Sequence, residues 1–288
     1  LLANVFLGMN QGFAWSSTVI MKIDLVGQKD RGLAMGINEF AGYFAVGIVA
    51  YFTGVIAQKY GVTPYPFYLG IGISIIGLLI TLLFVQDTRH HVSKEQETTV
   101  AEHFENVFIE TTFKDKTLSS ITQAGLVNNL NDGMIWGLLP MVLLTLNYST
   151  ENIGVIAAIY PTVWGLGQLF TGKMADHYSK KVMLFWGMLL QGIAIILIPY
   201  SDSFFELATI SAVLGLGTAI VYPTFLAAIA DATTPTQRAE SIGSFRLWRD
   251  LGYALGAIIS GITADIFGVN YAILLIGTIT ILSSLHLC

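Results

Sequence analysis

The chain has 288 residues, of which 54% are hydrophobic and 11% charged, and its mean hydropathy is +0.67. Soluble domains carry about 25% charged residues, so this composition excludes an ordinary soluble domain. The net charge of −5 says little because the charges lie mostly in loops, and the one cysteine, Cys288, excludes an internal disulfide.

Long apolar stretches run through the chain, and a helix needs roughly 20 residues to cross a bilayer. They predict an all-α, multi-pass membrane protein with nine spans. The expected spans are residues 1–21, 33–57, 67–85, 119–146, 152–172, 182–199, 205–230, 240–266 and 270–287. The chain starts and ends inside apolar stretches and lacks an initiator Met, which predicts a fragment of a longer protein.

One long polar connection, residues 86–117, separates three spans from six. It contains apolar residues at helical spacing, which predict a short amphipathic helix on the membrane surface. These residues are Val100, Phe104, Val107, Phe108 and Thr111.

Lysine and arginine are concentrated in alternate connections between the predicted spans. Eleven lie on one side of the membrane in this topology, against Lys59 alone on the other. Cytoplasmic loops carry such an excess, so the basic side is predicted to be cytoplasmic.

A pattern of charged residues and glycines recurs after 207 positions. It pairs Asp24 with Asp231, and Arg31 with Arg238. Glycines at the ends of the segments, such as Gly61 and Gly268, follow the same offset. The pattern predicts two structurally repeated halves, although two glycine-rich membrane helices can also align by chance.

The connection after the fifth span reads Gly172-Lys-Met-Ala-Asp176-His-Tyr-Ser-Lys180-Lys181. It resembles the G-x-L-A-D-R-x-G-R-K loop of the major facilitator superfamily of secondary transporters. The resemblance implies a bundle of twelve helices in two six-helix halves, of which this chain would contain helices 4 to 12. Residues 1–85 would then end the first half, 86–117 form a cytoplasmic linker, and 118–288 form the second half.

Two departures from the drug–proton antiporter branch of that family stand out. The branch has an arginine in helix 4, where this chain has Gly8. It also has a G-P-x-x-G-G pattern in helix 5, where Gly36–Gly42 contains no proline. Proton coupling through that arginine is therefore not expected.

Charged residues inside spans are expensive and are candidate functional residues. Asp132 lies near the middle of a span, with Asn128 and Trp136 on the same helical face. A carboxylate there can take up a proton or hold a cation, and the resemblance implies that this helix lines the substrate cavity. The alternative is a hydrogen-bonded cluster that only fixes the packing of helices.

Glu39 and Arg246 occupy equivalent positions of the two repeats. They could pair when the cytoplasmic side closes and so form a gate. In the alternative, Arg246 pairs with Asp250 on its own helix, and Arg249 is left unpaired for an anionic substrate or for Asp132.

The resemblance implies that the loop carboxylate Asp176 contacts the start of a helix in the other half, near residues 31–34. A carboxylate is stabilised there by the helix dipole. Gly172, Lys180 and Lys181 complete this predicted gating loop, and the alternative is a tight turn with solvated charges.

Several other residues are candidates for the cavity or for packing. Tyr160 precedes Pro161, which predicts either a hinge or a static kink. Glycines and a serine repeat every four residues in one helix, so a neighbouring helix can approach closely. The further cavity candidates are Asn10, Trp15, Trp164 and Gln168, and the small residues are Gly252, Gly256 and Ser260.

The leading prediction is a secondary transporter of a small molecule that works by alternating access, with export and proton coupling as hypotheses. The alternatives are an ion-coupled importer of a small anion and a receptor or scaffold with the same fold. We expect a monomer in a bacterial inner membrane whose partners are the bilayer, a substrate and protons. Enzymatic activity, a cofactor, a metal and nucleic acid are not expected.

Overall fold

A computed structural model describes residues 2–61, 63–96 and 103–287, and the regular secondary structure of this part of the chain is entirely helical. The first helical stretch joins α1 (Leu2–Asn10), a π-helical turn (Gln11–Trp15) and α2 (Ser16–Val26). The other long helices are α3 (Arg31–Tyr60), α4 (Tyr65–Phe84), α7 (Lys116–Thr145), α8 (Thr150–His177), α9 (Lys180–Leu197), α10 (Phe204–Ala232), α11 (Arg238–Phe267) and α12 (Val269–His286). Between α4 and α7 lie α5 (Arg89–Gln96) and the short α6 (Val107–Ile109).

Each predicted span overlaps one of these helical stretches. The largest difference is in α8, which continues to His177, so that Gly172 and Asp176 lie in a helix and not in a loop. Six helices of the described part are long and apolar enough to cross a membrane. They are Tyr65–Phe84, Asn152–His177, Lys180–Tyr200, Phe204–Ala232, Arg238–Phe267 and Val269–His286.

The long connection differs from its prediction. Val100 lies outside the described residues, but Val107 and Thr111 are buried. The Thr111 carbonyl accepts a hydrogen bond of 3.1 Å from Thr122 of α7, and α6 also packs on α11. Val107 and Thr111 of the predicted amphipathic helix therefore contact the helix bundle, whereas Phe108 is exposed.

The best-packed part of the molecule contains α7 to α12, in which α7 pairs with α11, and α8 and α9 pack against α10. Aromatic and aliphatic side chains such as Trp164, Phe225 and Met134 are fully buried there. By contrast, none of the residues of α4 is buried. Helix α3 packs along α8 and so joins the first helices of the chain to the group α7 to α12.

The predicted repeat is visible in α3 and α11. Both helices have 30 residues, and they begin at Arg31 and Arg238. They are followed by Gly61 and Gly268, each with φ +95°, a conformation that favours glycine. In each case the glycine N–H donates to the carbonyl of an alanine one turn earlier. Equivalent residues therefore build equivalent helix ends.

Small residues allow α11 to approach α7 closely, as the sequence predicted. A Cβ atom added to Gly256 would lie 2.8 Å from Leu130 Cα, whereas one added to Gly261 of the same helix would meet nothing within 4 Å. We expect Gly256→Ala to destabilise the protein by about 1–3 kcal/mol because two backbones must separate. Thermal unfolding in detergent measures this effect, with Gly261→Ala as the matched control. Equal unfolding temperatures for the two variants would contradict the packing argument.

Candidate functional site

The connections α2–α3, α4–α7, α8–α9 and α10–α11 meet at one end of the bundle, which we call the basic end. Two arginines in equivalent positions of the repeat anchor it. Arg31 Nη1 lies 2.9 Å from Asp231, and Arg238 Nη1 lies 2.8 Å from Asp24. Each arginine therefore pairs with the aspartate of the other repeat. Both arginine side chains are 1% exposed. Asp24 is also buried, whereas Asp231 is exposed, so the Arg238–Asp24 pair is shielded from solvent and the Arg31–Asp231 pair only on the arginine side.

Glu95 of α5 joins both arginines. Its carboxylate pairs with Arg31 and lies 2.8 Å from Arg238 Nη2. Partial burial raises the pKa of this carboxyl, but the hydrogen bonds and charges of Arg238 and Arg31 outweigh burial and hold its pKa below the ordinary value. A lowered pKa means that the stability from this contact is present at neutral pH. It is lost only as the pH falls through the lowered value.

Asp176, at the last turn of α8, contacts the first turn of α3 as the resemblance implied. Its two carboxylate oxygens accept hydrogen bonds from the backbone N–H groups of Gly32 and Leu33, at 2.6 and 2.8 Å. Gly172 lies one turn earlier, where a Cβ atom would be 2.8 Å from Gly36 Cα. The close approach of α3 and α8 thus depends on glycine, and the Asp176 carboxylate bonds the two helices together at its end.

We expect Asp176→Asn to weaken this contact, because the amide keeps one acceptor oxygen but loses the charge that the helix N-terminus favours. The loss should be about 0.5–2 kcal/mol, typical of a helix cap. The unfolding temperature and hydrogen exchange at residues 32–34 are the measurements. His177→Ala, at the exposed neighbouring position, is the control. Unchanged exchange at these amides in Asp176→Asn would exclude a capping role.

Deeper in the bundle, Asp132 of α7 is 1% exposed. The Tyr160 hydroxyl of α8 donates a hydrogen bond to Asp132 Oδ1 and lies 3.3 Å from the Thr218 hydroxyl of α10. Tyr253 of α11 also lies close to this carboxylate. The second oxygen, Oδ2, has no hydrogen-bond partner among the described residues. Asp132 is therefore a buried carboxylate whose neighbours include the hydroxyl groups of Tyr160 and Tyr253.

Glu39 of α3 is fully buried and faces the same region. Its Oε1 accepts hydrogen bonds from Trp15 Nε1 at 3.3 Å and Asn38 at 2.9 Å, and its Oε2 has no partner among the described residues. Arg246 and Arg249 act on it electrostatically, but neither forms an ion pair with it within 4.0 Å. The predicted direct Glu39–Arg246 gate is therefore not formed here.

Both arginines of α11 instead contact Asp250. The Arg246 Nη2 atom is 3.8 Å from Asp250, as the local alternative predicted, and the Arg249 Nη2 atom is 2.7 Å away. The expectation that Arg249 is unpaired was wrong, because its flexible side chain folds back onto the adjacent residue. Arg246 also donates to the Ser16 hydroxyl at 3.0 Å and lies 5.9 Å from the Trp15 ring centroid, so it bridges to the first helical stretch.

Asn128 belongs to a different polar group. Its amide oxygen accepts from Gln191 of α9 at 3.0 Å, and Gln191 accepts from Asn131 at 3.0 Å. The Thr280 hydroxyl of α12 donates to Asn131 at 2.6 Å. These hydrogen bonds connect α7, α9 and α12. They fit the packing alternative for Asn128 and separate this residue from Asp132.

Aromatic rings surround the two carboxylates. Tyr160 stacks against Trp164 at a centroid distance of 5.8 Å, and Trp164 packs against Tyr43 at 4.2 Å and Tyr222 at 5.2 Å. The buried Trp164 Nε1 and both polar atoms of the Gln168 amide have no partner among the described residues. Asn10, by contrast, is exposed on α1 and does not join this buried group.

An apolar cavity of about 700 Å³ lies beside these rings, between α3, α7 and α8. Phe40, Tyr43 and Phe44 line it from α3, and Trp136 lines it from α7. The Trp136 ring is 5.8 Å from the Tyr160 ring. Tyr160 in turn donates its hydrogen bond to Asp132, so two aromatic side chains, Trp136 and Tyr160, lie between the cavity and the buried carboxylate. The size of the cavity lies in the range of sites for small organic molecules.

Comparisons with known proteins identify the family and the fold. A sequence profile described as Major Facilitator Superfamily matches residues 1–123 and 121–288. This chain belongs to the major facilitator superfamily. Its fold agrees with that of the human organic anion transporter MFSD10 (TETRAN), with a TM-score of 0.74 at 16% identity over 95% of this chain and 67% of that one.

Curated relatives in the superfamily include the multidrug resistance protein MdtG of Proteus mirabilis, which is 22% identical over 273 residues. That alignment covers 93% of this chain and 66% of MdtG. The uncharacterized transporter YvkA of Bacillus subtilis is 30% identical over 160 residues, which are 54% of this chain and 36% of YvkA. An uncharacterized MFS-type transporter of Methanocaldococcus jannaschii, MJ1560, is aligned over 40% of its length. This chain thus spans about one third to two thirds of these curated relatives.

The sequence did not predict the crossed ion pairs or the role of Glu95 in this member of the superfamily. The repeat alignment pairs Asp24 with Asp231 and Arg31 with Arg238, that is, like with like. The repeated aspartate and arginine, seven residues apart in each half, could nevertheless have indicated these ion pairs. Two halves related by a twofold axis would place the arginine of each half near the aspartate of the other. Glu95 gave no signal, since it is one of several acidic residues in a charged segment.

Proposed function

We propose that this chain forms most of a secondary active transporter that moves a small molecule across a membrane by alternating access. The observation that carries the proposal is that two carboxylates, Asp132 and Glu39, are buried in the bundle next to the aromatic residues around an apolar cavity. Buried charges in a membrane bundle are costly unless they serve a pathway for substrate or ions. Such a site, between two matched groups of helices, is typical of these transporters.

The arrangement corresponds to a state that is closed at the basic end. There Asp176 holds α8 against α3, and the crossed ion pairs hold α3 against α10 and α2 against α11. Glu95 links the two arginines. Nearer the other end, α3 and α8 leave the apolar cavity between them. In the proposed cycle the ion pairs break, the basic end opens, and the cavity closes from the opposite side.

The topology that we propose has nine spans in this chain out of twelve, with the basic end in the cytoplasm. Residues 1–85 belong to the first half, 86–117 to a linker and 118–288 to the second half. The recurrence of α3 in α11, with equal lengths and equal glycine ends, supports the two halves. The distribution of lysine and arginine supports the orientation.

Export of an apolar or aromatic compound is the direction and substrate class that we favour. The cavity is lined almost entirely by apolar and aromatic side chains. Relatives at low identity include MdtG and the quinolone resistance protein NorA of Staphylococcus aureus, both named for drug resistance. Import of a small anion is less well supported, because Arg246 and Arg249 already contact Asp250.

Proteoliposomes that contain the purified protein and a pH-sensitive dye test the proposal. An imposed proton gradient should drive ethidium, an aromatic cation, across the membrane, and ethidium addition should in turn move protons. For benzoate, an aromatic anion, the flux and the accompanying proton movement should be no greater than in liposomes without the protein. Proton-coupled benzoate flux without ethidium flux would favour the importer. No flux of either compound, while specific binding of ethidium persists, would favour a receptor.

A further inference from the structure

Polar groups without hydrogen-bond partners lie along the contact of α3 and α8. Trp164 Nε1 and both polar atoms of the Gln168 amide, on α8, have no partner among the described residues, and neither has Glu39 Oε2 on α3. All three side chains are at most 1% exposed. A buried donor or acceptor without a partner is costly, and native structures usually satisfy it with a bound molecule or an ordered water. These groups therefore mark a place where a ligand can bind.

The unpartnered groups adjoin the apolar cavity. Gly165 of α8 and Tyr43 of α3 both line it, and the ring centroids of Tyr43 and Trp164 are 4.2 Å apart. Gln168 lies about one turn beyond Gly165 along α8. Its backbone carbonyl faces Gly36 of α3, where an added Cβ atom would be only 2.3 Å away. Gln168 is therefore at the side of the cavity nearer to the basic end.

We propose that Gln168 and Trp164 bind an uncharged hydrogen-bonding group of the transported compound, such as a carboxamide or an aromatic amine, while its apolar body occupies the cavity. This inference rests on the proposed function and names the substrate class of the same site. The Gln168 amide offers two N–H donors and one acceptor oxygen, and the Trp164 indole offers one N–H donor. A substrate group that both donates and accepts hydrogen bonds satisfies these atoms best.

Opening of the basic end gives a compound access to Gln168. Asp176, which bonds α8 to α3 at that end, lies about two turns further along α8. Separation of the two helices there uncovers the Gln168 amide. When the helices close without a compound, the amide is left without a partner, as in the arrangement described here. The polar groups thus favour closure around a compound that carries the matching group.

The charges near the site favour a neutral group over an ion. Arg246 and Arg249 of α11 act electrostatically on Glu39, and both arginines also contact Asp250. Two carboxylates therefore face two guanidinium groups, and neither sign is in excess. Specificity is then left to the uncharged hydrogen-bonding groups of Gln168 and Trp164.

Equilibrium binding of tritiated 2-naphthamide and tritiated 2-isopropenylnaphthalene to the detergent-purified protein tests this inference. The second compound has nearly the same shape but no polar atom. Gln168→Met keeps the length of the side chain and removes its polar atoms, so it should weaken naphthamide binding roughly ten- to hundredfold. Binding of 2-isopropenylnaphthalene should change by less than about twofold, since this compound forms no hydrogen bond. Gln86→Met, at an exposed glutamine after α4, is the matched control and should bind both compounds normally.

Trp164→Phe removes one N–H donor and keeps an aromatic ring, and it should show the same selective loss if Gln168→Met folds poorly. An equal loss of both compounds in folded variants, unchanged naphthamide binding in both variants, or no naphthamide binding by the wild type would overturn the inference and leave these groups to ordered water. Tighter binding of the anion 2-naphthoate or the cation 2-naphthylmethylammonium than of 2-naphthamide would overturn it as well. Selective naphthamide binding without ethidium flux would contradict the proposed function and leave the binding site in place.

Discussion

Asp132→Asn is expected to reduce proton-coupled transport at least tenfold while the protein stays folded. The amide has almost the same shape and still accepts a hydrogen bond from the Tyr160 hydroxyl, but it cannot take up a proton. Since Asp132 is buried at 1% exposure, replacing it with a neutral group should leave the unfolding temperature unchanged or raise it. Ethidium flux and the accompanying proton movement in proteoliposomes are the measurements.

Two further variants make this result specific. Tyr160→Phe removes the hydrogen bond to Asp132 and should shift the pH dependence of transport without abolishing it. Asp202→Asn serves as the matched control because that residue is exposed and contributes its backbone carbonyl, not its carboxylate, to Tyr148. Transport by Asp132→Asn with the rate and pH profile of the wild type would show that this carboxylate is only structural.

Arg238→Gln is expected to have the largest effect on the conformational equilibrium. Its side chain is 1% exposed and pairs with Asp24, which is 3% exposed, and with Glu95. Removing one partner from a buried ion pair typically costs about 3–5 kcal/mol, because the remaining charge is left buried without a partner. We therefore expect the basic end to open in most molecules. Arg31→Gln should have a smaller effect, because its partner Asp231 is 38% exposed.

Accessibility of a cysteine at Ser241 reports the opening, since this residue is fully buried near the start of α11. In a Cys288→Ser background, Arg238→Gln should raise the rate of maleimide labelling at Ser241→Cys by more than tenfold. Asp24→Asn in the same molecule should restore part of the protection, and Lys173→Gln should have no effect. Labelling of the arginine variant at the wild-type rate would refute a closing role for Arg238.

Much of the helix arrangement could be predicted from the sequence because long apolar stretches leave few alternatives in a membrane. The contact of Asp176 with the start of α3 followed from the family resemblance. The Arg246–Asp250 pair followed from helical spacing, since residues four apart lie on one face. Predictions of this kind need only local geometry or a specific motif.

Other features depend on tertiary structure. The sequence placed Asn128 and Asp132 on one helical face, yet Asn128 contacts Gln191 of α9 and Asp132 contacts Tyr160 of α8. A four-residue offset on a helix turns by about 40°, which is enough to face different neighbours in a tightly packed bundle. In the sequence, Tyr160 was a candidate only because it precedes Pro161. Its hydrogen bond to Asp132 could be recognised only once α7 and α8 were placed together.

The exchange of partners between Arg31–Asp231 and Arg238–Asp24 has a consequence for assembly. Neither half can neutralise its own arginine through these pairs, so a half expressed alone would present a cation and an anion to solvent at fixed spacing. The complementary half presents the same two charges in the opposite order. Separately synthesised halves should therefore recognise each other, and a copy with its aspartate and arginine interchanged should reject a wild-type counterpart yet accept one that carries the same interchange.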